Sequence, residues 1–268
     1  TTSTQVTSTM YLDGDFEDSS TEDGTNTVSI KDGTTLQSGY IMTMMATASG
    51  ITTAGAATLS AKNGIIMHCD YTGSGSSKLK VFDADSNADA STKGEDGVLT
   101  LVTGKTLTSG NNNVLITAFD IDLDGSITTG TAGVTMHGSV ATQTMGLGAS
   151  PVVDDASPAV ATKFELDGNE LQRITDTGTG LTIGSSDSGR LYVNGVTVKA
   201  GDFINTLTLV ATKASKQVVF LGAASSFNKG IIVQAGAGIH LSMDVTTEDS
   251  ITQLSAGSGT LTIASTKT

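Results

Sequence analysis

The chain has 268 residues, including 44 threonines, 29 serines and 32 glycines, with 15% charged residues, a net charge of −13 and a pI near 4.4. Its single cysteine excludes a disulfide framework and a cysteine-based zinc site within one chain. The acidic charge disfavours binding to nucleic-acid phosphates or anionic membranes, and no run of 18 apolar residues is present to form a membrane-spanning helix.

The first 27 residues form a Thr-rich, acidic segment with one short apolar run around Met10 and Leu12. We predict that residues 1–27 are an extended arm that adds as a strand to a neighbouring copy of the chain, by β-augmentation. The residues expected to form this contact are Val6, Met10 and Leu12 of the arm, and Leu261 and Ile263 near the other end of the chain.

Beyond the arm, the chain consists of short alternating apolar and polar runs bounded by Gly, Ser, Asn or Asp. Val, Ile and Thr pack well on a pleated sheet, and no window of a dozen residues keeps a 3.6-residue period. The clearest runs are 77–82, 98–104, 114–125, 180–184, 190–195, 206–212, 216–222, 229–236, 238–246 and 260–265. This pattern predicts an all-β fold.

Near-repeats among these runs favour a parallel β-solenoid with Gly/Ser/Thr-rich corners. The tripeptide LT(L/I) recurs at 99–101, 181–183, 207–209 and 261–263. Strand starts recur at intervals of roughly 22 residues, which is typical of one solenoid turn. An antiparallel sandwich is the alternative, but the self-similarity of the runs argues against it.

Composition shifts divide the predicted solenoid into two parts. The first part covers residues 28–147 and carries a polar, acidic insertion at 72–97. Residues 148–162 contain both prolines and are expected to form a surface loop or a hinge. The second part covers residues 163–268.

The acidic insertion contains a candidate calcium site, because oxygen ligands at every second residue resemble the start of a calcium loop. The candidate ligands are Asp83, Asp85, Asn87, Asp89, Glu95 and Asp96. The segment departs from a calcium loop because Ala88 stands where glycine is needed and Gly94 where glutamate is needed. An acidic surface that keeps the protein soluble is therefore the favoured interpretation.

A second acidic group, Asp120, Asp122 and Asp124, begins like a calcium loop but lacks the closing carboxylate. Alternation places these carboxylates outward, opposite Ile121 and Leu123, as on a solvated strand face. The favoured interpretation is again a soluble acidic surface, with calcium as the alternative.

No catalytic residue is predicted. His68 and Cys69 are adjacent, but alternation turns Cys69 inward and His68 outward, so their side chains diverge. A polysaccharide-cleaving enzyme would use clustered carboxylates with aromatic platforms, and the chain has no tryptophan. T-x-T motifs raise ice binding as a further alternative, but their separations in sequence vary from 2 to 54 residues.

From about residue 98 to 265 the chain resembles the bacterial-type β-strand-repeat surface proteins, relatives of the filamentous haemagglutinin repeats. The resemblance is carried by the segments 98–131, 144–148, 164–196 and 207–250. It implies a parallel β-helix in a secreted adhesin, cell-surface coat or extracellular filament, and it implies no catalytic residue.

These observations predict a non-enzymatic structural protomer of an extracellular filament or surface layer. Copies of the chain are its expected partner, they assemble end to end, and no cofactor is expected apart from the candidate calcium. The alternative is an adhesin-type binding module that contacts glycans or host surfaces through residues 72–97 and 148–162.

Overall fold

The computed structural model describes residues 2–14, 26–46, 50–88, 97–149 and 163–264. The chain forms two compact units, Thr1–Val134 and Thr135–Thr268. Both units are built from parallel β-strands, so the predicted all-β fold class is confirmed.

Unit 1 contains fifteen described strands of three to five residues each. In chain order they are β1 Thr2–Val6, β2 Met10–Asp13, β3 Thr27–Ile30, β4 Thr34–Ser38, β5 Met42–Met45, β6 Gly50–Thr53, β7 Ala57–Ala61, β8 Ile65–Met67, β9 Tyr71–Gly73, β10 Lys80–Asp83, β11 Val98–Leu101, β12 Thr106–Thr108, β13 Val114–Ala118, β14 Asp120–Leu123 and β15 Ser126–Gly130. Each strand pairs with the third strand along, which gives the orders β1-β4-β7-β10-β13, β2-β5-β8-β11-β14 and β3-β6-β9-β12-β15.

The core of unit 1 consists of rows of apolar side chains that share one register position. One such row is Met10, Met42, Ile65, Leu99 and Ile121, and all five side chains are buried. Successive members are 32, 23, 34 and 22 residues apart, so the register is kept although the connecting segments differ in length. Apolar residues at alternate positions therefore face the core in every strand of this sheet.

Unit 2 contains most of β16 and thirteen further described strands. They are β16 Val134–Gly138, β17 Met145–Gly148, β18 Phe164–Asp167, β19 Ile174–Asp176, β20 Leu181–Ser185, β21 Leu191–Asn194, β22 Thr206–Ala211, β23 Val218–Phe220, β24 Ser225–Phe227, β25 Gly230–Ala235, β26 Ile239–Leu241, β27 Val245–Thr247, β28 Thr252–Ser255 and β29 Leu261–Ile263. Their sheets have the orders β16-β20-β22-β25-β28, β18-β17-β21-β23-β26-β29 and β24-β27.

Strand β18 breaks the sequential order of its sheet. It pairs with β17 on the side away from β21, so β17 lies between β18 and β21. The paired residues of β18 and β21 come 19 and 46 residues after those of β17. Residues 150–162, which connect β17 to β18 and make up most of the predicted loop or hinge at 148–162, lie outside the described residues.

Two short helices, which the alternating pattern did not predict, follow strands in unit 2. The α-helix α1, Gly168–Leu171, begins with a capping box, in which the Asp167 carboxylate accepts from the backbone of Glu170 and the Glu170 carboxylate accepts from the backbone of Asp167. A 3-10 helix follows at Val198–Gly201. Among the described residues, no helix has the length or apolar character needed to cross a bilayer.

Candidate functional site

The last strands of unit 2 carry apolar side chains at the register positions that face the core elsewhere. Leu261 pairs with Ile239, and Ile263 pairs with Leu241. Ile239 and Leu241 are 0% and 8% exposed, whereas Leu261 and Ile263 are 45% and 53% exposed. The described strands place no strand on the outer side of β29, so its inward-facing side chains meet solvent.

Strand β28 forms the corresponding edge of the neighbouring sheet. Its Thr252 and Leu254 share register positions with the buried Ile231 and Val233 of β25. Thr252 is exposed and Leu254 is half-buried, and the preceding Ile251 is the most exposed large apolar residue described. Together, β28 and β29 form what we term the C-terminal edge.

At the other end of the sequence, the predicted arm residues lie in strands of their own chain. Strand β1 pairs with β4, placing Val6 opposite Ser38, and residues 2–5 are exposed. Met10 and Leu12 of β2 pair with Met42 and Met44. Met10 is buried and Leu12 is half-buried, so both contribute to the core of unit 1.

Strands β1 and β2 lie at the ends of their sheets and are termed the N-terminal edge. Each has a paired strand on one side among the described residues. Their unpaired sides therefore present backbone donors and acceptors that a further strand can use.

The first candidate calcium segment is described in part. Asp83 is half-buried at the end of β10, Asp85 is buried, and Asn87 is exposed in the turn that follows. Asp89, Glu95 and Asp96 lie outside the described residues. Within the part of the chain that the structure describes, no group of three His, Cys, Asp or Glu side chains is placed to hold a metal ion, and calcium at this segment stays a prediction.

The second acidic group follows the predicted faces of β14. Asp122 and the following Asp124 are exposed and Asp120 is half-buried, while Ile121 and Leu123 are buried. The alternation is therefore confirmed for this strand, and the carboxylates lie on its outward side.

The adjacent cysteine and histidine diverge as predicted. Cys69 is buried and His68 is exposed. Burial raises the pKa of the Cys69 thiol to about 11, so the thiol stays protonated at neutral pH and is a poor nucleophile.

A buried lysine in unit 1 was not identified by the sequence patterns. Lys80 is fully buried and shares its register position with Ala57 and Val114. Its ammonium group donates to the backbone carbonyl of Gly55 and, at 2.9 Å, to that of Ser74. These two carbonyls compensate for part of the cost of removing the charge from water.

The surroundings of Lys80 also affect its protonation. Burial lowers the pKa of Lys80, whereas the negative charge of Asp32 acts in the opposite direction. Alternation in the run 77–82 does place Lys80 on the same face as Phe82, so a signal for its inward position is present in the sequence. We interpret Lys80 as a structural cation that joins the segments around Gly55 and Ser74 through hydrogen bonds.

Hydroxyl side chains line one outward row of the third sheet of unit 1. This row consists of Ser29, Thr52, Thr72, Thr108 and Thr128. The Ser29 and Thr52 hydroxyls are hydrogen-bonded at 3.1 Å. The irregular spacing of threonines in the sequence thus conceals a regular row in the sheet, because the intervening segments differ in length.

Comparison with known proteins gives no relative for this chain. No family model matches it. No curated protein and no solved structure shows significant similarity to it.

Proposed function

We propose that the chain is a structural protomer, that each of its units is a parallel β-solenoid, and that copies assemble end to end. The pairing of every third strand in unit 1 supports the solenoid, because each pass along three sheets then adds one strand to each of them. The rows of buried residues at equal register support it as well.

The observation that carries the assembly proposal is the exposure of Leu261 and Ile263. Fully burying a large aliphatic side chain is worth about 1.5–3 kcal/mol, so covering the half-exposed Leu261 and Ile263 would contribute about half of that each. An uncovered strand edge also offers its backbone groups for pairing. The C-terminal edge combines both features, since its apolar residues are already held in the register of the core.

We place the N-terminal edge of the next copy against this C-terminal edge. Strand β2 carries an apolar pair two residues apart, Met10 and Leu12, which matches the spacing of Leu261 and Ile263 in β29. Parallel pairing of β29 with β2 of another copy would continue the core rows across the contact. Because two different surfaces meet, such a contact is heterologous, and stacking copies along the direction in which strands are added would produce an open filament rather than a closed ring.

The proposed location is outside the cell, at the surface or in an extracellular filament. The ground for proposing this location is the resemblance to β-strand-repeat surface proteins that we predict from the sequence of residues 98–265. The net charge of −13 is compatible with solubility of the protomer before assembly.

Negative-stain electron microscopy and sedimentation velocity of the purified chain test the proposal. We expect filaments whose fraction rises with protein concentration. A single monomeric species at all concentrations would contradict end-to-end assembly. Repeating the series with calcium and with a chelator also tests the acidic segment, because filaments that disappear only in chelator would assign a calcium role to the Asp83–Asp96 region.

A further inference from the structure

Unit 2 contains an open cleft with an exposed aromatic side chain on its wall. The cleft has a volume of about 290 Å³, close to the lower limit for small-molecule sites. Phe203 is 57% exposed, whereas the adjacent Ile204 in the lining is buried. A large aromatic ring left in solvent beside a concavity is available for stacking against a ligand.

Polar side chains of several kinds surround this ring. The lining includes the Thr177 hydroxyl, the Asp202 carboxylate, the Asn205 amide and the Lys229 ammonium group. Thr177, Asp202 and Asn205 are exposed and Lys229 is half-buried, so solvent or a ligand can reach them. The set offers hydrogen-bond donors and acceptors around one apolar face.

The loops that carry these groups are fixed to one another by hydrogen bonds. The backbone N–H of Asp176 donates to the carbonyl of Phe203 at 2.8 Å. The Asn205 amide donates to the Gly178 carbonyl. The Asp176 carboxylate in turn accepts from the backbone N–H of Gly178 at 2.8 Å, so the cleft is held in one shape before any ligand binds.

The loop that carries Asn228 and Lys229 is joined to the others in the same way. The Asn228 amide donates to the Asp202 carboxylate at 3.1 Å, which fixes the segment that carries Lys229. Asp176, Asp202 and Asn228 follow one another at intervals of 26 residues, so three passes of the chain each contribute one loop to the cleft.

We propose that this Phe203 cleft binds a neutral saccharide. A sugar ring has an apolar C–H face that stacks on an aromatic side chain and an edge of hydroxyls that bind carboxylate, amide and ammonium groups. A simple cation is disfavoured by Lys229, and a polyanion is disfavoured by Asp202 and by the overall charge of −13. This site is independent of the assembly edges.

Saturation-transfer NMR and titration calorimetry on the full chain test the proposal, with cellobiose, maltose, lactose and N,N′-diacetylchitobiose as probes. We expect at least one of them to bind with a dissociation constant of roughly 0.1–10 mM. Phe203→Ala should weaken this binding about tenfold or more, and Phe203→Trp should preserve it. Asp202→Asn should weaken it less.

Tyr40→Ala is the matched control, because Tyr40 is a similarly exposed aromatic residue, 47% exposed, in unit 1. It should bind the sugar as the unaltered chain does, and circular dichroism should show that all variants are folded. Failure of all four sugars to bind, equal binding by Phe203→Ala, or tighter binding of a sulfated disaccharide would each overturn the proposal. Filament formation by Phe203→Ala should be unchanged, so this test and the assembly test fail separately.

Discussion

Strands β26 and β29 are neighbours in one sheet and carry the same kinds of side chain, yet they meet different surroundings. Ile239 and Leu241 of β26 are enclosed by strands on both sides, whereas Leu261 and Ile263 of β29 have a strand on one side within the described residues. The apolar pattern of the core therefore continues into the last described strand. Alternation in a sequence indicates which way a side chain points, and the neighbouring strand decides whether it is covered.

The two edges of the chain differ in the same respect. Residues 2–5 of β1 are threonine, serine and glutamine and are exposed without an apolar surface, whereas β29 exposes leucine and isoleucine. Strand β1 therefore has no large apolar side chain to cover on residues 2–5, whereas covering β29 would remove apolar surface from water.

The largest expected effect comes from placing charges on the edge strand. The double variant Leu261→Lys, Ile263→Lys should form no filaments, because assembly would bury two ammonium groups without partners. Electron microscopy and sedimentation velocity measure the loss. The control is Thr262→Lys on the outward side of the same strand, which should still assemble. Filaments of normal length from the double variant would rule out β29 as the contact.

Matched substitutions in the interior and edge strands should differ in their effect on stability. Ile239→Ala should lower the free energy of unfolding by about 3 kcal/mol, because it leaves a cavity in the core. Leu261→Ala, at the same register position, should cost less than about 1 kcal/mol in the monomer. Urea denaturation at a concentration that keeps the chain monomeric compares them. Equal losses of unfolding free energy would show that Leu261 is packed as well as Ile239 and would contradict the exposed edge.

The interior should also respond to alkaline pH. Burial raises the pKa of Cys69 from 9.0 to about 11 and that of Tyr71 from 10.0 to about 12. Groups with a raised folded-state pKa stabilise the fold below their unfolded pKa, and this contribution is lost as the pH rises through the folded value. Stability should therefore fall between about pH 9 and 12, by up to about 3 kcal/mol for each group.

The lowered pKa of Lys80 has the opposite effect, because its contribution to stability rises as the pH rises. Variants of Tyr71 and Cys69 separate the two effects. Tyr71→Phe should lose less stability than the unaltered chain between pH 8 and pH 11.5, although it is less stable at pH 8 because the hydrogen bond to Thr53 is absent. Cys69→Ala should likewise lose less stability than the unaltered chain as the pH rises above about 9. Urea titrations at both pH values measure it, and parallel pH profiles would contradict the assignment.

The smallest effect is expected for the surface ion pair of Lys78 and Asp32, whose charged atoms are 2.8 Å apart. The hydrogen bond from Lys78 lowers the pKa of Asp32, so its contribution is present above the usual aspartate pKa and is lost as the pH falls through the lowered value. Lys78→Ala should leave stability at neutral pH nearly unchanged and slightly reduce its acid dependence. Thermal unfolding at pH 7 and pH 3 checks this expectation.

The sequence was sufficient to predict β29, which carries two of the proposed assembly residues, but it assigned those of β1 and β2 to an extended arm. The run 260–265 alternates, and β29 occupies Leu261–Ile263 within it. The run 238–246, by contrast, is divided into β26 and β27, because the chain turns between Leu241 and Val245. Alternation continues through such a corner and does not reveal it.

Other features required information that no local pattern contains. Asp167 and Glu170 have the spacing of a capping box, but α1 is a single turn whose nucleation cost must be met by contacts elsewhere in the unit. The Phe203 cleft is formed by loops 26 residues apart, and only the register of the sheets brings them together. Lys80 was predictable as inward-facing, but a charged residue in a core is too rare to expect from alternation alone.

The out-of-order strand β18 has a consequence for how unit 2 folds during synthesis. Residues 164–167 leave the ribosome before residues 191–194, so β17 can form its ladder with β18 while β21 is still being made. Pairing β17 with β21 closes a loop of 46 residues and pairing it with β18 closes one of 19, which differ by only about 0.8 kcal/mol in entropy cost. The earlier pairing of β17 with β18 would therefore arise from the order of synthesis more than from equilibrium. A β17–β18 pair formed early would provide the template on which β21, β23, β26 and finally β29 are added, in the order in which they are translated.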